Sequence, residues 1–124
     1  MRRSMTALAI VGLVSTASAH EVSKGPNGGP MVDVAGHHVE MVAKGTEFVL
    51  YLTDAADKPL ASAGAKTARA IVQDAGKTAT VPLSAVDPNK LVGTLAQPLG
   101  AGARIVVSAT LADGHALQAR FTNN

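Results

Sequence analysis

The sequence contains no cysteine and no tryptophan, and its aromatic content is 2%, carried by Phe48, Tyr51 and Phe121. Without cysteine the fold must hold without disulfides, and lipid attachment at a lipobox cysteine is excluded. So few ring faces argue against carbohydrate binding, stacked bases or a large aromatic cofactor pocket. Enzyme signatures are missing too: there is no G-x-S-x-G elbow, no H-E-x-x-H and no phosphate loop. Gly25 to Gly29 lacks the following Lys-Ser/Thr of a phosphate cradle. A copper mono-oxygenase would share an N-terminal histidine, but it needs a broader and more aromatic substrate face. The chain reads as non-enzymatic.

A short export signal is present at residues 1–19. Arg2 and Arg3 make a positive start, Met5 to Val14 is uncharged and mostly apolar, and Ala17-Ser18-Ala19 is an A-x-A cleavage site. The apolar run is too short for a lasting membrane span, and no second one follows. A periplasmic address is expected, with cleavage after Ala19 and no stable membrane insertion afterwards; an uncut N-terminal anchor is the alternative. The whole chain has 11 Lys+Arg and 9 Asp+Glu. Two of the basic residues lie in the signal, so residues 20–124 are near neutral. The pI of 9.2 belongs to the precursor and carries no case for nucleic-acid binding.

The remaining apolar residues follow a period of two. Phe48, Leu50 and Leu52 alternate with Glu47, Val49 and Tyr51; Ile105, Val107, Ala109 and Leu111 alternate with Val106, Ser108 and Thr110; Leu117, Ala119 and Phe121 alternate with Gln118 and Arg120. This pattern marks half-buried strands. Turn residues interrupt it at Gly36, Lys44-Gly45, Asp57-Lys58-Pro59, Asp74-Ala75-Gly76, Asp87-Pro88-Asn89, Ala101-Gly102 and Asp113-Gly114. The expected fold is all-β: a single antiparallel β-sandwich of immunoglobulin-like type, with about seven to eight short strands over residues 31–124. Residues 20–30, rich in Gly and Pro, read as an extended arm that nothing fixes in place.

The first hairpin can be registered from polarity. A two-residue loop at Ala35-Gly36 sets Val34 against His37, Asp33 against His38, Val32 against Val39 and Met31 against Glu40. Val32, Val34, Val39 and Met41 then share the core face, and Met31, Asp33, His38 and Glu40 share the outer face. That outer quartet is a candidate metal set: imidazole, two carboxylates and the soft thioether that copper, especially Cu(I), prefers. The other reading is an exposed strand face with a cross-strand Asp–His pair. Met41 reads as core filler, His37 as a rim residue and His115 as a solvated strand-start residue. After cleavage, His20 would be the first residue, offering its α-amine and imidazole as a chelate. A second histidine, His38 or His37, would extend this to a three-nitrogen site for Cu(II).

The run GPNGGPMVDVAGHHVEMVAKGTEFVLYLTDAADKPL resembles small exported bacterial proteins whose mature chains start with a His-containing Gly-Pro-Asn-Gly-Gly arm. It is also similar to the N-terminal β-domain of periplasmic adaptor subunits of heavy-metal efflux pumps of the resistance-nodulation-division class. The matching positions are Gly28-Gly29, Glu40, Tyr51 and Lys58-Pro59, with Leu91-Val92-Gly93 and the Arg104–Phe121 hairpin in the same order. The resemblance implies a periplasmic β-sandwich associated with metal handling. Lys24 and Asn27 stand where such proteins often carry a histidine, and the membrane-proximal and hairpin parts of an adaptor are absent. The expected function is therefore a periplasmic metal-binding or metal-efflux accessory protein for copper or another heavy-metal ion, with an efflux system or other envelope protein as partner. The alternative is a non-catalytic envelope module that binds a protein partner without metal.

Overall fold

The computed structural model describes residues 23–124. The signal segment and His20 lie outside the described residues. Ten strands run in chain order: β1 (Ser23–Lys24), β2 (Pro30–Val34), β3 (His37–Lys44), β4 (Glu47–Thr53), β5 (Lys66–Asp74), β6 (Lys77–Pro82), β7 (Ser84–Val86), β8 (Lys90–Thr94), β9 (Arg104–Thr110) and β10 (Ala116–Thr122). They form two antiparallel sheets, one of six strands in the order β1-β2-β3-β4-β8-β7 and one of four in the order β10-β9-β5-β6. There is no helix among the described residues.

The count exceeds the seven to eight strands expected from sequence. Two of the ten, β1 and β7, are two and three residues long, too short to display a period of two. The alanine-rich stretch before β5 is loop, and β5 enters its sheet through a register shift between Lys66 and Arg69. A shift of this kind bends a strand locally.

One core serves both sheets. Val39, Phe48, Leu50, Leu52 and Leu91 enter it from the six-stranded sheet, and Ala70, Ile105 and Val107 from the four-stranded one. All of these are fully buried. Phe48 is the largest fully buried side chain, in a core otherwise made mainly of branched and small residues. Truncating a buried Phe costs about 3–5 kcal/mol.

The β2–β3 hairpin has the register that its polarity demands: Met31 pairs with Glu40, Val32 with Val39, Asp33 with His38 and Val34 with His37. Ala35 and Gly36 make the two-residue loop with positive φ at both positions, 50° and 83°. That geometry matches the right-handed twist of the flanking strands. The same alternation places Val32, Val39 and Met41 in the core.

Candidate functional site

Three segments build the outer face of this hairpin. The first is the pair of central strands, which sets Asp33 beside His38. The second is the turn after β4. Asp54 accepts hydrogen bonds at Oδ1 from the Ala56 and Lys58 amides, at 2.8 and 2.9 Å. The Asp54 amide in turn donates to the Lys58 carbonyl at 2.8 Å. These amide donors, led by that of Lys58, hold the Asp54 carboxyl below the usual carboxylate range. Within the turn Asp57 takes φ 63°, a conformation that Asp tolerates better than most side chains. The turn thereby brings Asp57 over β3.

His38 lies between the two carboxylates. Its Nε2 is 2.7 Å from Asp33 Oδ1, and its Nδ1 is 3.0 Å from Asp57 Oδ1. The ring is largely covered, at 21% side-chain exposure, while both carboxylates are open to solvent at 79%. A neutral imidazole has one N–H and donates to only one of them; the doubly protonated ring donates to both. In chemical terms Asp57 orients the ring from one edge, and the other nitrogen faces a carboxylate across the strand pair.

The third segment is the Gly-rich arm, and here two expectations are corrected. Glu40 lies on the predicted side of the sheet, but it is 2% exposed rather than part of an open face. The arm covers it. Glu40 Oε2 accepts from the backbone amides of Asn27 and Gly29, each at 2.9 Å, and Oε1 accepts from Asn27 Nδ2 at 3.0 Å. Residues 23–30 are therefore fixed, contrary to the reading of a loose arm. The turn closes on itself through Gly25 N to Gly29 O and Gly28 N to Gly25 O, and β1 pairs with β2 at Ser23–Met31 and Lys24–Pro30. Two glycines are required by contact. A Cβ on Gly25 would run into the Glu40 carboxylate group, and one on Gly29 into the Met41 carbonyl.

The structure thus brings Asp33 and His38 together and adds Asp57, which sequence reasoning did not single out. Glu40 has both oxygens engaged by the arm. Met31 is half-buried and stands diagonally from His38 across the β2–β3 pair, a separation of about 7–8 Å. Met41 is core, as expected. Among the described residues no group of three or more His, Asp or Glu side chains is arranged to hold a metal ion. The reason is visible at His38: its two carboxylates sit on opposite ring nitrogens and do not converge.

His37 and His115, read from sequence as bystanders, form a second pair. Their ring centroids are 6.0 Å apart at 79°. His37 Nδ1 is buried with no hydrogen-bond partner among the described residues. His115 Nδ1 lies 2.7 Å from Asp113 Oδ2, and the His115 amide bonds Asp113 Oδ1. These bonds, the backbone one foremost, lower the Asp113 carboxyl below its ordinary range.

No family model, curated protein or solved structure matches the chain.

Proposed function

We propose that the chain is an exported, non-enzymatic metal-binding domain of the bacterial envelope, taking copper or another transition-metal ion and serving a heavy-metal efflux system. In this reading residues 1–19 are the signal, cleavage exposes His20, and the two sheets around one core are a single immunoglobulin-like β-sandwich. The observation that carries the reading is the setting of His38. A metal-ligating histidine commonly donates its second ring N–H to a carboxylate, which fixes the tautomer and the ring plane. Asp57 at Nδ1 supplies that partner, and Asp33 stands at Nε2 as a neighbouring oxygen donor.

Two protein donors make an incomplete site. His20 would complete it with its α-amine and imidazole, both available near neutral pH. Two residues, Glu21 and Val22, lie between it and Ser23, so over three residue steps its backbone reaches at most about 10 Å from there. Ser23 pairs with Met31, two residues from Asp33, so the hairpin site falls within that reach once the histidine side chain is added. The fixed arm also removes much of the ordering entropy that a loose terminus would lose on binding. Glu40 is assigned to holding the arm rather than the metal.

The test is a calorimetric Cu(II) titration of protein whose first residue has been verified as His20 by mass spectrometry. Affinity below micromolar is expected, weakened at least tenfold by His38→Ala and by acetylation of the α-amine. Unchanged affinity in both overturns the reading. A second reading, an envelope interaction module without metal, is favoured by β7. All three of its residues are exposed on a sheet edge with no further strand among the described residues, and Val86 is 42% exposed. That reading expects partner capture that survives chelation and is lost with Val86→Lys.

A further inference from the structure

We infer that the outer face of the four-stranded sheet is a docking surface for an acidic protein partner, independent of any metal at the first hairpin. The three described arginines, Arg69, Arg104 and Arg120, are all exposed and all point outward from this one sheet. Lys66 joins them by its register with Thr110. No Asp or Glu occupies an outward position on any of its four strands: β6, β9 and β10 contain none, and Asp74 of β5 has the inward parity of Ala70 and Val72. Among the described residues none of the three arginines makes an ion pair; every such contact involves His38 or His115.

The register fixes their spacing. Arg120 pairs with Val106, and Arg104 with Thr122, so the two arginines are diagonal neighbours about 7–8 Å apart. Arg69 pairs with Ser108, which sets it about 12 Å from Arg120 across two strand spacings. A groove of about 450 Å³ is lined by Arg104 and Arg120 together with Val106 and Thr122. Like charges held this close with no intervening carboxylate repel each other, and an anionic occupant removes that repulsion.

The choice of arginine identifies the occupant. Of the six described lysines, four lie off this sheet and Lys77, at the start of β6, has the inward parity of Val81, so Lys66 alone joins the arginines on the outer face. A membrane surface attracts Lys and Arg alike. A fixed carboxylate on a protein is gripped bidentately by guanidinium alone, and protein interfaces are enriched in Arg and depleted in Lys. The face has no aromatic side chain to stack a base. Ile71 and Val106, half-buried at its middle, offer a small apolar centre inside a polar surround.

The experiment measures fluorescence anisotropy of a labelled twenty-residue polyglutamate peptide titrated with the purified protein at low salt. Binding is expected. It should weaken at least tenfold in R69Q/R104Q/R120Q and at least threefold in R69K/R104K/R120K, with K44Q/K58Q/K90Q within twofold of the parent. Circular dichroism melts should show all three variants folded, since every substituted side chain is exposed or half-buried at the surface. The inference is overturned by an arginine variant within twofold of the parent or by an equal loss in the lysine variant. It is also overturned if phosphatidylglycerol vesicles or an oligonucleotide of matched charge bind more tightly than the peptide.

Discussion

Glu40 shows how much one covered carboxylate can organise. It gathers three donors from a five-residue turn and thereby ties the arm to the sheet. Glu40→Ala leaves those donors without their acceptor and should cost about 3 kcal/mol, read from urea unfolding. Glu40→Gln should cost about 1 kcal/mol, because the amide oxygen can still serve the two backbone N–H groups while Asn27 turns its own oxygen to the new NH₂. A Gln variant as damaging as the Ala variant would contradict this account. Gly29→Ala should destabilise by about 1–3 kcal/mol, since the added methyl meets backbone rather than a yielding side chain. The sequence announced the side of the sheet on which Glu40 lies but not its burial. Period two reports which way a residue points; it carries no information about a segment 11 to 13 residues upstream folding over it.

At the scale of elements, the β2–β3 hairpin was legible because slipping it by one residue would put Val32 and Val39 into water and Asp33 and His38 into the core. The sequence shows a turn at Asp57-Lys58-Pro59, but neither its start at Asp54 nor its role is legible there. Asp57 reaches His38 only through a left-handed backbone at Asp57 and a cap from Asp54, neither of which leaves a periodic trace. Asp54 is held below the ordinary carboxylate range by amides it binds only when folded. Its contribution is therefore fully present above the ordinary carboxylate range and is lost as pH falls below that range, through the lowered folded-state value. Amide exchange at Ala56 and Lys58, corrected for intrinsic rates, should lose protection on acidification before the amides of β3 and β4 do. Asp54→Ala should show the same loss at neutral pH. The pairing of His37 with His115 was likewise unreadable, since it joins the start of β3 to the β9–β10 turn, 78 positions apart by their numbering.

Over the whole molecule the two sheets carry different chemistry on their outer faces. The six-stranded sheet mixes acids, bases and the His38 cluster and is partly covered by the arm. The four-stranded sheet presents arginines without acids. Overall charge conceals this division, because nine acids and nine bases remain after the first nineteen residues and their sum is near zero. All-β character followed from alternation along each strand, whereas the sorting of charge between sheets depends on which strands become neighbours. The central claim is that His38, oriented by Asp57, binds a transition-metal ion. It is tested most directly by adding Cu(II) in substoichiometric steps to ¹⁵N-labelled protein and following paramagnetic broadening of the amide resonances. The account predicts that Asp33, His38 and Asp57 broaden first, while β5, β6 and β9 keep their intensity. Broadening centred on His37 and His115, or spread evenly over the protein, would contradict it.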